Sequence, residues 1–157
     1  MTQTDKNLLL KDLCARLPYG VKGIRTYRPK ETITLGEIIP RCKTNPNVGN
    51  VTFCELGFDE TLDCCVITEF KPYLFPLSSV TEEMLEELNA NGLFKYRDTI
   101  ANISHLESKN GTSEEIYTYI DIESISVLIE FFHSHHIDYR GLIEKGLAID
   151  ATGLNIY

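Results

Sequence analysis

Two runs rich in β-forming residues, 51–58 and 62–70, are separated only by Asp59-Glu60-Thr61. That short polar break predicts a hairpin. In the second run Leu62, Cys64, Val66 and Phe70 fall on one face at the period of a strand, and Cys65 and Ile67 on the other. Apolar side chains on both faces need cover on both sides, so this strand belongs in the middle of a sheet. Any fold for the chain has to be built around that hairpin.

The remaining segments supply what packs against it. Residues 5–17 read as a helix, with Leu9, Leu10, Leu13 and Leu17 on one stripe. Pro18-Tyr19-Gly20 ends it. Residues 21–27 and 32–39 read as strands around an Arg28-Pro29-Lys30 turn, and 40–50, with two prolines and three asparagines, as a surface loop. Residues 71–79 read as a connection pinned by Pro72 and Pro76, which cannot donate to a ladder.

A second helix is expected at 81–90, capped either by Ser79 with Glu82 or by Thr81, and stopped by Asn91-Gly92. Residues 93–106 leave strand and irregular structure open, 107–115 read as an exposed loop, and 116–120 as an edge strand. A third helix starts at the Asp121 cap and runs to about residue 136, with Ile122, Ile125, Leu128, Ile129 and Phe132 on its apolar face. Residues 142–145 add a helical turn, and 148–157 form a tail docked through Ile149, Leu154 and Ile156. The expectation is one α+β domain over residues 1–157: a mainly antiparallel sheet of about four or five strands with helices packed on one face.

A length of 157 residues suits one domain with a real core. The formal charge of −8 argues against general nucleic-acid binding, which needs a basic surface. No run approaches the length of a membrane span, and the polar first seven residues do not form a signal peptide. Five cysteines (Cys14, Cys42, Cys54, Cys64, Cys65), odd in number and without C-x-x-C spacing, read as reduced, mostly buried thiols. Together these point to a cytoplasmic protein.

Three segments, LCARLPYGVK (13–22), KPYLFPLSSVTEEM (71–84) and HHIDYRGLIEKGLAIDA (135–151), carry a resemblance that spans the chain. The chain resembles a family of small proteins without an assigned activity that recurs in Bacteroidetes genomes and mobile elements. The resemblance implies a mobile-element or phage setting and no cofactor or catalytic residue. Relatives carry Arg at the position of Phe75 and Asn at that of His133.

Four groups of residues are chemically suggestive. Tyr27-Arg28, Tyr96-Arg97 and Tyr139-Arg140 repeat a pair of residue types that dominate protein interfaces. Tyr139 and Arg140, with Tyr73 and Phe75 beside the prolines, are the candidate contact residues for an unidentified protein partner. Each tyrosine could equally anchor its turn against the core. A catalytic alternative is a Mg²⁺-dependent nuclease or phosphodiesterase using Asp59, Glu69 and Lys71: two carboxylates would hold the ion and the lysine would orient water. Those three residues also read as a turn and a solvated strand end. His133 and His136, three apart on a helix, offer a metal alternative without the acid of an H-E-x-x-H motif. Adjacent Cys64 and Cys65 point to opposite faces of a strand and read as packing. Glu82, Glu83, Glu86 and Glu87 read as a solvated helix face. The expectation is a non-catalytic protein acting through protein–protein contacts.

Overall fold

The computed structural model describes residues 1–45, 49–59, 61–90 and 122–157. Its first helix, α1 (Gln3–Arg16), begins two residues earlier than the leucine spacing predicts. The cause is a capping box: the Thr2 hydroxyl accepts from the Asp5 amide at 3.1 Å, and the Asp5 carboxylate accepts from the Thr2 amide at 2.9 Å. The Thr2 backbone and hydroxyl hold the Asp5 carboxyl below its usual range. A 3-10 turn at Leu17–Tyr19 and Gly20 at φ 63° stop the helix, as Pro18 and Gly20 predict.

Five strands then run as an antiparallel series: β1 (Lys22–Arg25), β2 (Arg28–Asn45), β3 (Gly49–Phe58), β4 (Thr61–Val66) and β5 (Phe70–Pro76). Two-residue strands β6 (Ile137–Asp138) and β7 (Ile149–Asp150) pair in parallel with β5. The seven-stranded order is β4-β3-β2-β1-β5-β6, with β7 also on β5. The fold class is α+β, and the sheet has more strands than the sequence suggests.

The predicted hairpin stands as β3 and β4, shortened at its end, with β4 at the end of the strand order and not in the middle of the sheet as its two apolar faces predict. A 3-10 turn at Ile67–Glu69 replaces the last part of the second strand and leads into β5. Cys65, Ile67 and Phe70 are buried while Cys64 is exposed, so the core side of this segment is that of Cys65.

Three proline-based expectations fail for one reason: each proline sits where the ladder asks for no N–H. The β1–β2 turn is Thr26-Tyr27, not residues 28–30. Arg25 pairs with Arg28 and Ile24 with Thr32, so Pro29 falls inside the register shift. The expected loop over 40–50 is largely strand, because β2 pairs with β3 out to Asn45 and Gly49. β1 pairs with β2 only up to Thr34, which leaves Pro40 on a strand with an open edge. The expected connection at 71–79 is mostly β5. There the cross-strand donors are the Phe75 amide, to the His136 carbonyl at 2.9 Å, and the Ala151 amide, to the Leu74 carbonyl at 2.8 Å.

The sheet curls, since buried Arg25 on β1 reaches Asp63 on β4 past two intervening strands. The main core lies inside that curl, where Leu9 and Leu13 of α1 meet Ile33, Leu35, Leu56 and Phe70. Phe58 and Phe70 rings pack 5.7 Å apart. Gly23 is required there, because a Cβ would run into the Phe70 ring and the Lys71 carbonyl. Leu10 and Leu17 complete the predicted stripe only partly buried, and the other fully buried positions of α1 are Asp12 and Arg16.

By compactness the chain divides into residues 1–79 with 133–157, and residues 80–132. In the second unit α2 (Glu82–Ala90) is capped by Thr81, whose hydroxyl accepts from the Met84 amide at 3.4 Å. Ser79 instead donates to the Pro76 carbonyl at 2.6 Å. Glu82, Glu83, Glu86 and Glu87 are exposed and Leu88 is buried, as a solvated outer face requires. Helix α3 (Ile122–Ser134) ends two residues before the predicted stop, because His136 adopts φ 55°. Phe131 and Phe132 are buried, whereas Ile125 of its expected apolar face is 41% exposed. The expected elements between 91 and 121 lie outside the described residues.

Among cysteines with described side chains, Cys14 and Cys64 are exposed and Cys65 is buried, contrary to a mostly buried set. Burial pushes the Cys65 thiol up to about 12, which keeps it protonated.

Candidate functional site

Two polar clusters in the larger unit are built around arginines whose side chains are wholly buried. The first joins α1 to the segment IDYRGL. Asp12 and Arg16, four apart on one helical turn, form an ion pair at 2.7 Å with both side chains at 0% exposure. Arg16 Nη2 also donates to the Ile137 carbonyl at 2.7 Å, which fixes β6 to the helix. Arg140 Nε lies 3.5 Å from the other Asp12 oxygen. Its Nε and Nη2 donate to the Tyr139 hydroxyl at 2.9 and 2.7 Å, and His133 Nε2 lies 2.9 Å from that hydroxyl.

Asp138 folds the same segment. Its carboxylate accepts from the Arg140, Leu142 and Ile143 amides at 3.3, 2.9 and 2.7 Å. Those bonds turn the chain so that Leu142 and Leu147 enter the core. The segment the sequence marks as unusual is therefore wired inward.

The second cluster sits at the β1–β2 turn. Arg25 Nη2 donates to Glu31 at 2.5 Å and Nη1 to Asp63. These partners are 42% and 43% exposed, unlike Asp12. Arg28 Nη1 reaches the same two carboxylates at 3.8 and 3.5 Å. Tyr27 is 49% exposed, and its ring lies 5.7 Å from the Arg25 guanidinium and 5.9 Å from that of Arg28. Beside it Arg28, Pro29, Lys30 and Glu31 line an open depression of about 390 Å³.

The sequence-predicted residues take separate places. Tyr73 is buried against Ile24 and Ala151, and Phe75 is half-buried with its ring 6.0 Å from that of Tyr157. Tyr139 and Arg140 are half-buried in the first cluster. Asp59 is exposed in the β3–β4 turn, its carboxylate over Gly36. Its amide donates to the Thr34 carbonyl of β2 at 3.2 Å. Glu69 ends the 3-10 turn and Lys71 lies on β5 opposite Ile24. His133 meets Tyr139, whereas the His136 ring stacks on Tyr157 at 3.8 Å and 15°. Among the described residues no group of three or more His, Cys, Asp or Glu is arranged to hold a metal ion. None of their helices is long and apolar enough to cross a membrane.

Sequence reasoning passed over Asp12, Arg16, Arg25, Glu31 and Asp63. A signal existed only for the first two, an i, i+4 acid–base pair between the stripe leucines Leu9, Leu13 and Leu17. Arg25 meets Glu31 across the β1–β2 turn, and Asp63 joins them only through the curl of the sheet. No family model, curated protein or solved structure matches the chain, so the chemistry rests on this geometry.

Proposed function

We propose that the chain is a non-catalytic, cytoplasmic interaction domain whose contact surface is the β1–β2 turn. The observation that carries this reading is the half-exposed Tyr27 ring, flanked by the guanidinium groups of Arg25 and Arg28. Tyr and Arg contribute heavily to interface energetics because each combines a large apolar area with a polar end. Arg25 is held from below by Glu31 and Asp63, so little rotamer freedom of the platform is lost on binding. Arg28 and Lys30 leave exposed positive charge at the turn of a chain whose formal charge is −8. That local contrast favours a protein partner presenting carboxylates around an apolar slot for the tyrosine. The family resemblance supports a mobile-element or phage setting for this partner.

The test is photo-crosslinking from position 27, with p-benzoylphenylalanine replacing Tyr27 in the full chain inside its host. A discrete adduct that is lost about 30-fold in the presence of Arg28→Glu is expected, the size of one hot-spot residue. Absence of any adduct at position 27 would overturn the reading.

A further inference from the structure

Residues 152–157 return to the outer face of β1 and β5 after a turn at Thr152-Gly153, where Gly153 has φ 74°. Ile156 packs on the cluster of Ile24, Tyr73 and Ala151. The Tyr157 hydroxyl donates to the Tyr73 carbonyl at 2.9 Å and accepts from the Lys22 amide at 3.0 Å. Lys22 Nζ donates to the Ile156 carbonyl at 2.8 Å. The Tyr157 ring lies flat on His136. His136 is 5% exposed, and its Nδ1 is buried with no hydrogen-bond partner.

We propose that residues 152–157 are a strap latched on His136, and that protonating this imidazole releases the strap and uncovers Tyr73 and Phe75. A protonated ring carries two N–H donors, and the buried Nδ1 offers its proton no acceptor. The charged groups acting on the ring are Arg16 from α1, Lys22 from β1 and neighbouring His135, and each opposes a further positive charge. The Tyr157 face attracts a cation weakly, and burial with these cations outweighs it. Burial first, then Arg16, His135 and Lys22, bring His136 down to about 4. An opened strap returns the ring to water and toward its ordinary value of 6.5. Opening therefore takes up a proton between those two values, and acid favours the open form.

The device is separate from the β1–β2 turn, and its test does not depend on a partner. Amide hydrogen exchange is measured by NMR on the full chain at pH 7.5 and pH 5, corrected for intrinsic rates. Protection of the Leu154 and Ile156 amides, which donate to the Ala151 and Leu154 carbonyls, is expected to fall about 30-fold at pH 5, as two pKa values of 6.5 and 4 require, and to lie below that of Ile33 and Leu35 in the core at both pH values. His136→Phe keeps a ring without a titrating nitrogen and abolishes the pH dependence. A direct imidazole titration guards against a misfolded variant: His136 titrates well below 6.5 in the native chain and moves toward 6.5 in Tyr157→Ala. Equal protection at both pH values, strap amides as well protected as Ile33 and Leu35, or a native His136 titrating at 6.5 would each overturn the proposal.

Discussion

Arg16 and Arg25 are both fully buried arginines, yet they stand in opposite relations to water. Arg16 is paired with Asp12, itself at 0% exposure, and its second bond is to a backbone carbonyl. Arg25 is paired with two carboxylates that are 42% and 43% exposed. In the first cluster the Asp12–Arg16 pair has been taken out of water, so each partner depends on the other. In the second the carboxylates keep much of their hydration, and the buried guanidinium serves as a base for an exposed tyrosine. One arrangement secures a segment, and the other presents a surface.

Breaking the first cluster has the largest expected effect. Arg16→Met leaves Asp12 buried with only the longer contact to Arg140, and removes one of the donors to the Ile137 carbonyl. A loss of about 3–5 kcal/mol in urea unfolding is expected. The pH lever follows, because Arg16 is among the cations that oppose charging of His136. His136 lies below its unfolded value, so its stabilising contribution is complete above pH 6.5 and is lost as pH falls toward 4. Its full size is up to about 3 kcal/mol. Unfolding of the wild type compared with His136→Phe across that window isolates it.

Arg25→Met comes next, at about 1–3 kcal/mol by thermal unfolding, since Glu31 and Asp63 can turn to water and to Arg28 when the guanidinium is removed. Glu31→Gln is the smallest. An effect of about 0–1 kcal/mol that shrinks further in 0.5 M salt sets it apart from the first cluster.

The same contrast explains what was legible in the sequence. The hairpin at 51–70, the leucine stripe of α1 and the Thr81 cap are local patterns, and each is realised near its predicted place. The prolines misled because their cost depends on which edge of a strand is paired, a property of register that composition does not carry. Tyr139 and Arg140 were singled out by residue type, but their direction is set by Asp12, more than a hundred positions earlier. Tyr27-Arg28 carries the same pairing of types and points outward because the turn lies at residues 26–27. A tight turn set the direction of one dipeptide and a contact distant in sequence that of the other.

The account turns on the burial of the carboxylates rather than of the arginines, and a matched pair of substitutions tests it. Asp12→Asn and Asp63→Asn each remove one charge beside a buried arginine with no change in side-chain shape. Measured by urea unfolding under one set of conditions, Asp12→Asn is expected to cost about 3 kcal/mol or more, and Asp63→Asn about 1 kcal/mol or less. Equal losses for the two variants would contradict the account.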